Sequence, residues 1–391
     1  MITLLTPTKN RSDFLLRLLR YYRDLGFQGT ICIGDSSNAF HVERTKEAIK
    51  ALNGDVNVVY REFPDLNGVE CVQRLLDLIS TPYAAYASDD DFLVPSAMDQ
   101  CVRFLESHPD YSAAHGMGTL ISVESNTVYG RVKGAGHWGQ PVIEDGSASQ
   151  RLTNLLMNYT VAIFSVHRVE TWRAMYKDAS LIADWKRFGG ELLQCCIAVI
   201  EGKIKQLDCL HVVRQVYDQH YPLPNEYPGS TSEDNAAVNF STSTTEDNFD
   251  WVASKDWLPS YEIFFNRVST ELARQDRIGV AEAREMVKQA FWSYLARGLS
   301  RKWEDRYGRA NAVSRDGLRR AVWTVPGAQR AWDTLHSLLP GERNKMSLPA
   351  LLRRSSPYHA DFMSIYRAIM SPARGTRNKL SDVEPTREPG P

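Results

Sequence analysis

The chain has 391 residues, 43% of them hydrophobic and 24% charged, with a formal net charge of -1. That is enough apolar mass for one large domain with an appendage or for two domains, and it excludes wholesale disorder and argues against a general nucleic-acid binder. Six cysteines (Cys32, Cys71, Cys101, Cys195, Cys196 and Cys209) are scattered without a CxxC pair, so neither a zinc knuckle nor a disulfide framework is expected and a reducing, cytoplasmic setting fits.

The amino terminus enters MITLLTP with no basic leader or cleavage site, and no stretch reaches the ~18 uninterrupted apolar residues of a membrane span, so the sequence reads as soluble or peripheral. The first 120 residues alternate two periodicities, as βα units building a mostly parallel sheet do. Strands are expected at Ile2–Leu5, Thr30–Ile33, Val56–Tyr60 and Tyr83–Ala87. In DFLLRLLRYYRDLG the residues Phe14, Leu15, Leu18, Leu19, Tyr22 and Leu25 share one helical face, and Gly26 sits at the C-cap. GVECVQRLLDLIS repeats the pattern, and a third helix is expected over Pro95–Ser107.

Beyond residue 110 a strand pair is expected around Ser112–Val132, then a glycine-rich loop, GAGHWGQP, a strand-like VAIFSVHR, and a helix after FGGE with Leu192, Leu193, Cys196 and Val199 on its apolar side. Cys195 and Cys196 have no basic neighbour to activate them and read as core. Residues 217–250 are polar and rich in turn formers, which suggests a long loop or lid, and the pattern is helical from about Trp251 to Met370 before a tail, 371–391, that reads as disordered. The units expected are therefore 1–216, 217–250, 251–370 and 371–391.

Ligands of open parallel sheets bind outside the carboxyl ends of the strands. Three polar clusters fall at those ends: PTKNR, GDSSN and SDDD. The last sets Asp89, Asp90 and Asp91 side by side. Three adjacent carboxylates repel one another unless they are solvated, cap a helix, or are neutralised by a cation. No GxGxxG follows the first strand and no GxxxxGK[ST] occurs, so dinucleotide and P-loop readings lose support.

Four motifs in order carry a resemblance over the first ~215 residues. TPTKNR resembles the opening PTYNR of family 2-like glycosyltransferases of the GT-A type, IGDSSN resembles their VDDGS, LNGVECVQR their NxGxxxxRN stretch, and SDDDFLVP their DxD metal motif followed by xLxP. The resemblance implies an α/β GT-A fold, Rossmann-like with a mostly parallel sheet flanked by helices, followed here by a helical C-terminal region. It also implies an inverting, metal-dependent transferase that moves a sugar from a nucleotide-sugar, expected to be a UDP-sugar, to a hydroxyl of a saccharide, glycolipid or other acceptor in bacterial surface glycan assembly.

Carried over by residue, the resemblance puts Pro7, Thr8 and Asn10 on base and ribose, Asp35 on the uracil N–H, Asn67 on base or ribose, and Asp89 on ribose. Asp90 and Asp91 would hold Mn2+ or Mg2+, with Ser88 leaving the DxD register open by one. Glu191 would be the base, with Asp184 as the fallback, and His211 a metal or diphosphate ligand. Arg214 could pair bidentately with phosphate oxygens. His137 and Trp138 suit an acceptor loop, because an aromatic face stacks on a sugar.

Simpler roles compete at each position: turn chemistry for Thr8, Asn10 and Asp35, a helix N-terminal charge for Glu191, a structural ring for His211, an ordinary hairpin around Trp138. Between Arg297 and Arg354 there are 13 Lys or Arg against 5 Asp or Glu, with Trp303, Trp323 and Trp332, so this region could touch an anionic bilayer, form a homo-oligomer interface, or be a solvated face. Nucleotidyl transfer lacks its GxGTRLxP, and a DxDxT phosphatase is excluded by Phe92 and Leu93 after Asp91. The non-enzyme alternative is a catalytically silent GT-A module that binds a nucleotide-sugar or acts as a scaffold.

Overall fold

The structure, a computed structural model, describes residues 1–124, 127–216, 251–307 and 345–370. The segments 217–250 and 371–391, with Trp323 and Trp332, lie outside the described residues.

The first half of the chain builds four parallel strands in the order β3-β2-β1-β4: β1 (Ile2–Thr8), β2 (Thr30–Asp35), β3 (Asn57–Glu62) and β4 (Tyr83–Tyr86). Helices α1 (Ser12–Asp24), α2 (Ala39–Ala51) and α3 (Gly68–Leu76) connect them, and α4 (Pro95–Ser107) follows. β1, β2 and β4 are buried along nearly their whole length, which is why they read as apolar runs rather than alternating ones. Gly26, with φ of 62°, ends α1 in the left-handed conformation expected of it. Helix α2 escaped the sequence reading because its apolar face is thin: AFHVERTKEAIKA buries only His41, Val42 and Thr45.

The rest of the sheet turns mixed. β8 (Val166–Arg168) pairs antiparallel with β4 and with β6 (Tyr111–Val123), β6 runs parallel to β9 (Lys203–Val216), and β5 (Phe92–Leu93) closes the path antiparallel to β9. β7 (Val132–Trp138) pairs with β6, so most of the glycine-rich stretch expected as a loop is a strand. Glycine there serves close approach: a Cβ on Gly118 of β6 would lie 2.7 Å from the Trp138 carbonyl oxygen. Of the strand-like VAIFSVHR, only Val166–Arg168 joins the sheet.

Helices α5 (Ala148–Met157), α6 (Val169–Tyr176) and α7 (Leu193–Glu201) flank this half, and α8 (Trp257–Asp276) and α9 (Val280–Tyr307) pack on α5 and α7. Asp276 at the end of α8 accepts hydrogen bonds from the Ala148 and Ser149 amides, capping α5 from a distance of 128 and 127 residues in sequence. A single turn, Leu348–Leu351, and α10 (His359–Met370) complete the described chain, α10 lying against α1. The fold is thus α/β with a helical C-terminal region. Among the described residues no helix is long and apolar enough to cross a membrane.

Candidate active site

The carboxyl ends of β1, β2 and β4 converge because their register is tight: Thr8 lies opposite Asp35, and Leu5 opposite Tyr86. After β1 the chain must turn sharply, and Asn10 does this with φ of 55°, a conformation Asn tolerates better than other side chains. Its amide donates to Ser37 Oγ at 2.7 Å and its Oδ1 accepts from the Asn38 amide at 2.9 Å, which joins the first loop to the second. Gly34 lets α3 approach: a Cβ there would stand 2.3 Å from Cys71 Sγ. Asn67 caps α3, accepting from the Val69 and Glu70 amides while Glu70 accepts from the Asn67 amide in return.

These loops surround a cavity of about 170 Å3, walled by Pro7, Thr8, Lys9, Arg11, Ser36, Asn67, Ser88, Asp89 and Trp185 among others. Pro7, Thr8, Asn67 and Asp89 are where the sequence placed nucleotide contacts. Asn10 and Asp35 are not in the wall. The Asp35 carboxylate is buried, accepting from the Ser37 amide and the Tyr60 hydroxyl at 2.9 Å each, so both oxygens already hold the second loop to β3.

The three aspartates are buried, not solvated. Arg11 lies between two of them: Nη1 is 2.8 Å from Asp89 Oδ1 and Nη2 donates to Asp90 Oδ2 at 2.8 Å. Thr8 Oγ1 donates to Asp89 Oδ2 at 2.7 Å and Ser88 Oγ to Asp90 Oδ1 at 2.7 Å. Asp91 points the other way. It immediately precedes β5, whose pairing with β9 brings Arg214 Nε to 2.9 Å and the Gln215 amide to 3.0 Å. Burial pushes Asp89 up to about 6 and Asp91 up to about 7, against the pull of Arg11 and Arg214 respectively.

The three residues expected to hold a metal, Asp90, Asp91 and His211, each have separate partners in the structure. Among the described residues no three His, Cys, Asp or Glu side chains are grouped as a protein-built centre requires. Asp91 has both oxygens committed to β9. The His211 ring is buried, its Nε2 bonded to the Phe164 carbonyl oxygen at 2.9 Å, and burial lowers it to about 4. Asp89 and Asp90 already face a cation: Arg11 meets one oxygen of each, and Thr8 and Ser88 donate to the others, so a divalent ion would take this pair only by displacing the guanidinium.

A second, smaller cavity of about 30 Å3 adjoins the first, the two sharing Gly68 and Tyr86 as walls. Val69, Val72, Val161, Ile163, Phe164 and Tyr176 line it with Gly190, and its charged groups are Glu191 and Arg214. Glu191 sits in a π-helical turn, Phe188–Leu192, ahead of α7; such turns are frequent at functional sites. Tyr159 donates to Glu191 Oε1 at 3.0 Å, and burial raises the carboxyl above its usual range against the pull of Tyr159, Arg214 and Arg187. Asp184, the fallback base, is occupied: it accepts from the Arg187 amide at 3.2 Å and from Trp251 Nε1 at 2.6 Å.

Arg214 is held by more than Asp91. Its guanidinium lies 4.8 Å from the Trp138 ring centroid and 4.2 Å from that of Phe164. Trp138 therefore presents its face to an arginine, while His137, half-buried on β7 opposite Thr119, lies outside both cavity walls. Sequence reasoning passed over Arg11 and Lys9, though both stand in the quoted PTKNR, and over Tyr86, Tyr159 and Trp185, which no local pattern distinguishes from core aromatics.

No protein-family model and no curated protein matches the chain. Solved structures do. S. aureus TarS 1–349 in complex with UDP-GlcNAc is similar at 13% identity and a TM-score of 0.43, over 78% of this chain and 92% of that one. TarS 1–349 in complex with UDP is similar at 13% identity and a TM-score of 0.40, over 80% and 93%.

Proposed function

We propose that the protein is an inverting glycosyltransferase of the GT-A type that uses a nucleotide-sugar, with UDP as the nucleotide, and a hydroxyl acceptor. The observation that carries this reading is Glu191, a half-buried carboxylate whose pKa desolvation raises, next to a cavity at the carboxyl ends of β1, β2 and β4. A general base works best with a pKa brought towards the operating pH.

In the proposed reaction the nucleotide lies in the larger cavity and its diphosphate faces Arg11 and Lys9. Glu191 takes the proton of the acceptor hydroxyl as that oxygen bonds to the anomeric carbon, and the bond from that carbon to the diphosphate oxygen breaks on the opposite face. The proton ends on Glu191 and the electron pair on the departing nucleoside diphosphate, whose charge Arg11, Lys9 and Arg214 stabilise. A divalent cation that displaced Arg11 from Asp89 and Asp90 would neutralise the same leaving group. Trp185 stands in the wall of the larger cavity.

A saccharide or lipid-linked acceptor, bacterial surface glycan assembly and work at the cytoplasmic face of a membrane complete the proposal. The test is thermal unfolding with UDP, GDP, CMP and dTDP, each with and without Mn2+, followed by transfer assays on Glu191→Gln. Saturation at ~100 times Kd adds about 2.7 kcal/mol to the folded state, a visible shift. A UDP-specific shift together with loss of transfer in Glu191→Gln supports the reading; no shift with any nucleotide would overturn it.

A further inference from the structure

One turn of chain walls both cavities. Trp185 stands in the larger and Gly190 and Glu191 in the smaller, so the stretch between them fixes the base relative to the nucleotide site. Its backbone departs from a regular helix: the Leu192 amide donates to the Arg187 carbonyl oxygen at 3.0 Å, five residues back. Gly189 and Gly190, at its centre, have no side chains with which to anchor it. The anchors lie outside the turn.

They come from the C-terminal helical region. Asp184 opens the turn: its carbonyl oxygen accepts from the Phe188 and Gly189 amides at 3.2 and 3.1 Å, and its Oδ1 from the Arg187 amide at 3.2 Å. Its Oδ2 accepts from the Trp251 indole N–H at 2.6 Å, and its amide donates to Ser260 Oγ of α8 at 2.9 Å. The buried Phe188 ring is enclosed by Trp251 at 4.9 Å, Phe264 of α8 at 5.3 Å and Phe291 of α9 at 6.0 Å between centroids. Helix α9 also backs the partner of the carboxylate, with the Tyr294 ring edge-on to Tyr159 at 5.2 Å. Asp184, Phe188 and Trp251 line neither cavity, so they act on the turn and not on a ligand.

We propose that Trp251 is a positioning residue for Glu191: its indole, bonded to Asp184 and packed on Phe188, latches the turn against α8 and α9, which makes these helices a working part of the active site. The proposal rests on the reading of Glu191 as the acceptor base. A reacting group misplaced by about 1 Å can cost roughly 100-fold in rate, so loss of the latch should appear in kcat. The larger cavity is walled mainly by the loops after β1 to β4, so nucleotide affinity should stay as it is.

The experiment compares the full chain with Trp251→Phe, which keeps a ring on Phe188 and removes the N–H donor. Leu272→Ala, which empties a buried position further along α8, and Glu191→Gln serve as controls. UDP affinity is read by titration calorimetry, and kcat and KM from release of UDP with water as acceptor. The donors are UDP-glucose, UDP-galactose and their 2-acetamido counterparts. Expected in Trp251→Phe are unchanged UDP affinity and donor KM, a kcat lower by about 10- to 100-fold, and faster hydrogen exchange of the Phe188, Gly189 and Leu192 amides. Leu272→Ala should unfold at lower urea and keep the natural kcat. A natural kcat or natural exchange in Trp251→Phe, or an equal loss of kcat in Leu272→Ala, overturns the latch and leaves the base reading standing. If Glu191→Gln releases UDP as fast as the natural chain, or neither releases any, the base reading falls and the positioning role with it. Circular dichroism establishes that Trp251→Phe is folded; should it not be, Asp184→Asn, which weakens the same bond, takes its place with the same expected loss.

Discussion

Arg11 donates a 2.8 Å hydrogen bond to Asp90, although Asp90 stands where the sequence placed a metal ligand. The same guanidinium reaches Asp89, so a protein cation stands between two carboxylates that would otherwise repel each other in a buried setting. Removing one partner of a buried ion pair costs about 3–5 kcal/mol, because the other charge is left uncompensated. Arg11→Leu should therefore lose about 3 kcal/mol, read from urea unfolding, and adding Asp89→Asn should recover part of it. A single substitution that costs under about 1 kcal/mol, with no recovery in the double, would show that the carboxylates are relieved in another way.

Arg214 makes a different kind of contact. Two aromatic faces and one carboxylate fix it, and a lysine reproduces neither the stacking nor the Nε–H bond to Asp91. Arg214→Lys should cost about 1–2 kcal/mol on the scale of desolvated cation–π contacts. Trp138→Ala should remove the same interaction, so the two substitutions together should cost less than their sum. Additive losses would mean that Trp138 packs independently of Arg214.

The Glu191 and Tyr159 pair allows a kinetic test. The Tyr159 hydroxyl stabilises the ionised carboxylate and so pulls down a pKa that burial has raised. A base must be deprotonated to act, which means transfer should fail as pH drops through that pKa. In Tyr159→Phe the restraint is gone and the acid limb of the kcat/KM profile should move to higher pH, while Glu191→Gln should lower kcat by about 100- to 10,000-fold. An acid limb unmoved in Tyr159→Phe would assign that limb to a different group.

Much of this arrangement was legible in the sequence for local reasons. The four parallel strands announce themselves as short apolar runs ending in PTKNR, GDSSN and SDDD, and those ends do converge on one cavity. Pro7, Thr8, Asn67, Asp89, Glu191 and Arg214 all reach cavity walls. What stayed hidden depends on partners distant in sequence. Asp91 looks equivalent to Asp89 in the string DDD, and only the β5–β9 pairing, with its partner 123 residues away, turns it to Arg214. Trp138 suggested sugar stacking because its partner Arg214 comes 76 positions later. His211 is one of several histidines by sequence, and its ring is assigned by a carbonyl oxygen at Phe164.

That buried ring, together with His167, sets the response to acid. Burial lowers both to about 4, while an unfolded histidine titrates near 6.5. Between those values the unfolded chain binds more protons, so the stability due to the neutral rings is complete above pH ~6.5 and is lost as pH falls towards 4. At 1.36 kcal/mol per pKa unit each ring accounts for up to about 3 kcal/mol of that loss. Asp89 and Asp91 act in the opposite direction. Their folded values of about 6 and about 7 exceed the unfolded one, so the folded chain binds the extra protons and their contribution grows as pH falls through 7. The two effects overlap between pH 4 and 6.5, and the stability of the natural chain should change little there. His211→Gln keeps a donor for the Phe164 carbonyl oxygen and cannot take up the proton. Relative to the natural chain it should gain in urea midpoint as pH is lowered from 7 to 4.5. A difference that stays constant over that range would mean that the His211 ring is protonated in the folded protein as readily as in the unfolded one.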